Sequence, residues 1–336
     1  LTRCLVKYTL KERLEGLAAG EILELTVCEP AMGSGAFLNE VVNQLSHAYL
    51  EKRQEETGET IPSDQYPQEW QKVKYHFTCH NCYGVDKNPR ALELAKLSLW
   101  LNTLHSDFQT PYLDQRLATG DSLIGARRQA YHRAELLRSG KKNNWLKAAP
   151  ERVKRCEKGQ VYHFLVPYDG MADFEKDKNV KQLEKDAIDR MKAWRKEMAE
   201  PFTPEDCDSL ERISQRIDAL WDQHARERSA MLNRIRQPID LWGTEPAGEN
   251  RLAYSVEQSA QEAAPLERGT AAGQRLKAVM DYWCALWFWP LDQAELLPTR
   301  DEWLMELDVL MDNDVQTLMN SFPRLRVVKQ VAQRVR

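Results

Sequence analysis

The sequence predicts an α/β fold: half of a doubly wound parallel sheet carrying a large, mostly helical insertion. Three observations carry this. An apolar run from Ile22 to Val27 ends in Glu29-Pro30 and then Gly33-Ser34-Gly35, ahead of an amphipathic helical pattern. A second run, His76 to Val85, looks like a buried strand that ends at Asp86 and leads through Asn88-Pro89 into another helical pattern. A third, around Leu117-Ala118-Thr119, ends at Gly120-Asp121-Ser122-Leu123. Strand–helix–strand–helix–strand with an acid at each strand end is the half-sheet layout, and ligands of such sheets sit beyond the carboxyl ends of the strands.

The elements follow in order. Ile22 to Val27 reads as the first strand. Phe37, Leu38, Val41, Val42, Leu45, Ala48 and Tyr49 form one apolar stripe, which predicts a helix over 35–50. Residues 51–73 are polar, with Pro62 and Pro67, and read as an insertion. His76 to Val85 reads as a buried strand. Asn88 is suited to cap the next helix, with Pro89 at its first position. Leu92, Leu94, Ala95, Leu97, Leu99, Trp100 and Leu101 predict that this helix is buried over most of its surface. Residues 1–130 are thus expected to form the ligand-binding half-domain.

The character changes after about residue 130. Tyr162 to Pro167 reads as a strand, followed by Asp169-Gly170 as a turn. A charged helical stretch then breaks at Pro201. Thr203-Pro204-Glu205-Asp206 is a helix start with a cap, a proline at the first position and acids in the first turn. Leu210, Ile213, Ile217, Leu220, Trp221, Met231 and Ile235 recur at helical spacing behind it. Residues 131–242 are read as an inserted helical hairpin and 243–272 as an Ala/Glu/Gly-rich link. Residues 273–336 are read as a helical segment, with Tyr282, Trp283, Trp287, Phe288 and Trp289 as core aromatics rather than base-stacking groups, and Trp303 to Val335 amphipathic.

Composition limits the function classes. Ten tryptophans and 42% hydrophobic residues suffice for a real core, while a 29% charged fraction points to a soluble, helix-rich protein. No apolar stretch approaches the roughly 20 residues that cross a bilayer, so no membrane partner is expected. Seven cysteines without a framework spacing suit a reducing cytoplasm. Cys79-His80-Asn81-Cys82 has no second ligand pair, which argues against a metal. A net charge of −4 does not announce nucleic-acid binding. Arg127-Arg128, Lys141-Lys142 and the Arg-rich C-terminus are local basic spots whose ordinary explanation is solvated surface. The chain opens on Leu1 with no initiator Met and no signal-peptide layout, and is expected to start inside a longer polypeptide.

The three acids indicate a ligand. Gly33 and Gly35 let a ligand approach the main chain, and free amides at the following helix start suit a carboxylate. Glu29 suits an ammonium group. Asp86 is placed to accept from the hydroxyls of a ribose. Asp121 is placed to accept from an exocyclic amine, with Leu123 against a purine face. A nucleoside bearing an amino acid fits this set, and S-adenosyl-L-methionine matches it. NAD does not, because the turn departs from Gly-x-Gly-x-x-Gly and sets an acid where a diphosphate would lie.

On these residues the chain resembles a known family. Cys28-Glu29-Pro30-Ala31-Met32-Gly33-Ser34-Gly35-Ala36-Phe37-Leu38, Tyr83-Gly84-Val85-Asp86-Lys87-Asn88-Pro89 and Gly120-Asp121-Ser122-Leu123-Ile124-Gly125 resemble, in order, the first three motifs of N6-adenine DNA methyltransferases of the gamma arrangement. His163 to Pro167 and Leu286 to Pro290 resemble parts of the large Eco57I-like methylases of phage-defence systems, the DISARM type more closely than BREX. The resemblance implies an incomplete class I, Rossmann-like methyltransferase sheet. It implies S-adenosyl-L-methionine contacts from Glu29, Pro30, Ala31, Met32, Gly33, Ser34, Gly35 and Phe37, from Asp86 and Lys87, and from Asp121, Ser122 and Leu123. It also implies double-stranded DNA and other defence-system subunits as partners.

The family's Asn-Pro-Pro-aromatic tetrapeptide, which holds a flipped adenine, does not occur in this sequence. The family places it after the fourth strand, which would fall shortly beyond Arg336. The expectation is therefore the cofactor-binding part of an adenine-specific enzyme that marks host DNA, with no catalytic residue in this chain and no methyl transfer by it alone. Methylation of RNA or protein stands beside that reading. So does a non-catalytic, cofactor-binding scaffold whose helices dock partner subunits.

Overall fold

The computed structural model describes residues 1–106, 108–139, 145–174, 182–235, 239–244, 258, 261, 264 and 270–335, and the chain is mixed α/β with helix dominant. Two compact units divide it: Leu1–Ser122 with Ala230–Arg268, and Leu123–Ser229 with Gly269–Arg336.

The first unit opens with α1 (Thr2–Leu14) and α2 (Ala19–Glu24), followed by a short strand β1 (Val27–Glu29). The run from Ile22 is thus helix at its start and strand only at its end, a correction to the expected strand. Ile22 is buried in α2, whose first turn is closed by the Glu21 carboxylate accepting from the Ala18 amide at 2.8 Å.

Next come α3 (Ala36–Thr57), α4 (Tyr66–His80), β2 (Cys82–Asp86), α5 (Pro89–Asn102) and β3 (Leu117–Thr119). The sheet is parallel in the order β1-β2-β3, with Glu29 opposite Gly84 and Asp86 opposite Thr119. That is the expected half-sheet order. One expectation fails within it: His76 to His80 are helical, so the second strand starts only at Cys82, and residues 51–73, read as an insertion, are mostly helix shared by α3 and α4. His76, Phe77 and Thr78 are buried one after another, so the segment is covered on more than one side, and its polar–apolar alternation does not mark a strand with one buried face. Asn81 marks the change: its side-chain amide donates to Leu23 O at 2.6 Å and Leu25 O at 2.8 Å, tying β2 to the approach of β1.

The cap of α5 is as expected, Asn88 Oδ1 accepting from the Arg90 amide at 3.0 Å. Its burial is not. Only Ala95 and Leu99 are buried, while Leu94, Leu97 and Leu101 are exposed. Residues 239–244 also belong here, since Leu241 is buried among α3 side chains and Tyr49 Oη donates to Trp242 O at 3.1 Å. They were expected to close the helical insertion. Most of the expected 243–272 link lies outside the described residues.

The second unit holds an antiparallel sheet of β4 (Gln129–His132), β5 (Glu151–Arg152) and β6 (Gln160–Tyr162) in the order β5-β4-β6, with a short α6 (Arg133–Leu136) after β4. The strand expected over Tyr162 to Pro167 ends at Tyr162, and His163–Leu165 form a 3-10 turn. Helices α7 (Lys185–Met198) and α8 (Pro204–Ile235) follow. The α8 start is the expected capping box: Thr203 Oγ1 accepts from the Asp206 amide at 3.1 Å and Asp206 accepts from the Thr203 amide at 2.9 Å. Its buried face meets the sheet, where Ser214 Oγ accepts from the Tyr162 amide at 3.2 Å and Asp218 from Tyr162 Oη at 2.7 Å.

The chain ends in α9 (Ala271–Ala285), α10 (Arg300–Asp312), α11 (Val315–Ser321) and α12 (Pro323–Val335). The cap at Asp314 and the new start at Pro323 divide the stretch Trp303 to Val335, which reads as one amphipathic helix. Trp145, Tyr162, Tyr282, Trp289 and Trp303 are fully buried in one core. That core joins residues expected to form a separate insertion and a separate C-terminal segment. Among the described residues no helix is long and apolar enough to cross a membrane.

Candidate functional site

The expected ligand turn follows β1. Met32 N donates to Val85 O at 3.0 Å and Gly35 N to Met32 O at 2.8 Å, so the turn folds back over the end of β2. Gly33 and Gly35 have φ of +55° and +78°, the left-handed region that glycine enters without strain. At Gly35 a Cβ would also stand 3.3 Å from Ala95 Cβ, so the missing side chain lets the start of α3 pack on α5.

Asp86 holds this turn. Its Oδ2 accepts from the Gly33 amide and its Oδ1 from the Asn88 amide, both at 2.8 Å. The two amides, Asn88 first, hold the Asp86 carboxyl below the usual carboxylate range. Glu29 is the opposite case. Burial pushes its carboxyl up, the Leu38 amide opposes this, and the Asp86 charge adds to it. Its Oε2 is buried without a hydrogen-bond partner among the described residues. An orphaned buried carboxylate oxygen is a place where a cationic ligand group recovers lost solvation.

Glu29, Pro30 and Phe37 line an open cleft of about 680 Å³, within the range that encloses a small ligand. Its far wall is α1, through Leu5, Thr9 and Arg13. The sequence reading left α1 without a role, although the i, i+4 spacing of Leu5 and Thr9 was visible.

Three of the expected residues line this cleft. Glu29, Pro30 and Phe37 face the cleft, whereas Asp86 and Asp121 stand at the ends of β2 and β3 outside that lining. Lys87 Nζ lies 3.1 Å from Asp121 Oδ2, so the third acid is paired with the neighbour of the second. Ala31 and Ser34 are exposed on the turn. The Met32 side chain is 3% exposed and packs where a Gly84 Cβ would be, inside the core, so only its main chain is left to meet a ligand. Ser122 is exposed, and Leu123, expected against a purine, is exposed and belongs to the second unit.

The remaining candidates resolve simply. The seven cysteines are free thiols, and among the described residues no group of three or more His, Cys, Asp or Glu could hold a metal. Burial raises the Cys82 thiol to about 12, which keeps it protonated. Tyr282 and Trp289 are core residues as expected, and Trp283 Nε1 donates to Val166 O at 3.0 Å. Trp287 and Phe288 are partly exposed instead. Lys141-Lys142 and the terminal Arg336 lie outside the described residues.

Comparison with protein families, with curated proteins and with solved structures finds no match for this chain.

Proposed function

We propose that the first unit binds S-adenosyl-L-methionine and is the donor half of an N6-adenine DNA methyltransferase of the gamma, Eco57I-like type, serving a restriction or phage-defence system. The observation that carries this is the pairing of a partnerless, buried Glu29 Oε2 with a glycine turn clasped by Asp86. Three features support it. The parallel order β1-β2-β3 sets Glu29, Asp86 and Asp121 near the carboxyl ends of three adjacent strands, the ligand end of a doubly wound sheet. The cleft beside Glu29 has room for the cofactor. The motif resemblance adds the chemistry.

In this reading Glu29 Oε2 accepts from the cofactor ammonium, and the first amides of α3 meet its carboxylate. Asp86 is already ionised and oriented by two backbone amides, so its remaining lone pairs accept from ribose hydroxyls without further ordering. Asp121 exchanges part of its contact with Lys87 for an adenine amine. Phe37 and the apolar face of α1 exclude water from the methionine end. Bound, the cofactor supplies a methyl group activated by its sulfonium. The Asn-Pro-Pro-aromatic tetrapeptide by which the family holds a target adenine does not occur in this sequence.

Isothermal titration of the chain with S-adenosyl-L-methionine tests the reading. Saturable one-site binding, lost in Asp86→Ala and weakened in Glu29→Gln, is the expected result. Absence of binding to the wild-type chain overturns it, and so does affinity that ignores both substitutions.

A further inference from the structure

The second unit carries a basic edge that its sequence scatters over two segments. In β4 and β5, Gln129 pairs with Arg152 and Ala130 with Glu151. Val153 N donates to Arg128 O at 3.1 Å, which carries the pairing one step further. This brings Arg127 and Arg128 beside Arg152, Lys154 and Arg155, all five exposed, while Lys158 lies toward the other end of β4, where Gly159 O accepts from the Arg133 amide. Glu151, Glu157 and Asp222 stand near them, and Asp218 accepts from the Cys156 amide at 3.1 Å, on a chain whose overall charge is −4.

Two of the five are held in place. The Arg128 guanidinium stacks on the Trp221 ring at 4.5 Å and donates to Lys154 O at 3.2 Å. Arg155 is paired with Asp222 at 2.7 Å, on the next residue of α8. Among the described residues Arg127, Arg128, Arg152, Lys154 and Lys158 make no ion pair. Cations crowded on neighbouring strands repel one another, and that repulsion is relieved by a polyanion, not by water alone.

We propose that this edge of the second unit docks the phosphate backbone of double-stranded DNA. The inference deepens the reading of the chain as part of a DNA methyltransferase by naming where the duplex is held. A pre-stacked guanidinium presents a rigid fork of donors that suits phosphate oxygens. The cations follow a strand edge, which matches a line of repeated phosphates. An anionic membrane is typically met instead by an amphipathic helix that buries an apolar face. The contacts are to backbone and carry no base preference.

The test is fluorescence anisotropy of a labelled duplex with the full chain over a salt series. The variants are the triple reversal Arg127→Glu, Arg152→Glu, Lys154→Glu and, as a control in the first unit, Lys7→Glu. Each of the three cations lost should lower the salt slope by about 0.9, and affinity at moderate salt should fall by about tenfold or more. Lys7→Glu should leave both unchanged. Circular dichroism melts establish that the triple variant is folded. Where it is not, the milder Lys154→Gln with Arg152→Gln is read, with a proportionate loss of slope expected. The proposal is overturned if the wild-type chain binds no duplex, if a folded variant keeps the wild-type slope, or if, in co-sedimentation with phosphatidylserine vesicles, the reversal abolishes vesicle binding while duplex binding stays intact. Cofactor titration separates this from the reading of the first unit: the triple reversal should leave S-adenosyl-L-methionine affinity intact. DNA binding without any cofactor binding would sink the methyltransferase reading and leave the docking edge standing.

Discussion

Asp86 Oδ2 accepts a hydrogen bond from the Gly33 amide at 2.8 Å, joining positions 53 residues apart. The end of the second strand thus sets the shape of the turn after the first. The same carboxylate orders the helix that follows it through the Asn88 amide.

Replacing Asp86 with alanine should therefore act twice, removing a ribose acceptor and loosening the turn. We expect at least a tenfold loss of S-adenosyl-L-methionine affinity in isothermal titration, of the order seen when a charge-assisted hydrogen bond is removed. Asp86→Asn keeps one acceptor oxygen and should fall between. Equal affinity for all three proteins would refute the assignment.

Glu29 should trade stability against binding. Its native carboxyl titrates above its unfolded value because burial disfavours the charge. Between the two values the native state binds more protons, so this group's contribution to stability falls as pH rises through that range. Glu29→Gln removes the buried charge and should raise the melting temperature by roughly 1–3 °C at neutral pH, while weakening cofactor binding. A melting temperature that falls would show Glu29 to be a structural acid.

Gly84 lies in β2 where an added Cβ would collide with Met32 Sδ and stand 3.1 Å from Leu117 and 3.2 Å from Leu38. Gly84→Val should destabilise the first unit by about 1–3 kcal/mol, the range for overpacking a filled core. Denaturant unfolding followed by Trp fluorescence reads this. An unchanged midpoint would mean that Met32 is free to leave its place.

In the second unit Arg324 pairs with Glu306 at 2.5 Å and Glu302 at 2.9 Å, and Tyr282 Oη donates to Glu306. Glu306 is buried, so Arg324→Ala would strand its charge. We expect a loss of about 3–5 kcal/mol in denaturant unfolding. The double change Arg324→Met, Glu306→Leu should recover most of it, because no charge is then left unpaired.

His163 supplies a pH dependence of known sign. Burial first, and the nearby Arg127 charge, lower its pKa from 6.5 to about 4, against a backbone hydrogen bond from Arg127. Between those values the unfolded chain binds more protons, so stability is complete above the unfolded value and is lost as pH falls toward the native one. At about pH 5 the loss should be about 2 kcal/mol relative to neutral pH. His163→Gln should flatten that part of the stability profile in melts recorded at both pH values.

Some of the molecule was legible because its signals are local. The Asn88-Pro89 start, the Thr203 capping box and the left-handed Gly33 and Gly35 each depend on a few adjacent residues. The exposed Leu94, Leu97 and Leu101 were not legible, because leucine has the same helical spacing whether or not something covers it. His76 to His80 failed for a related reason: its mixed polar and apolar residues fit a helix covered on several sides as much as a strand, and packing decides.

By itself the sequence determined the α/β order, the three strand ends with their acids and the caps that start α5 and α8. These follow from backbone preferences and hydrogen bonds spanning a turn or less. Only the tertiary structure decided which of those acids is clasped to a turn, which is paired to a lysine and which is left with a buried, partnerless oxygen. It also decided that two separate basic runs share one strand edge. Such relations arise from burial and strand pairing between distant segments, and no spacing within the chain encodes them.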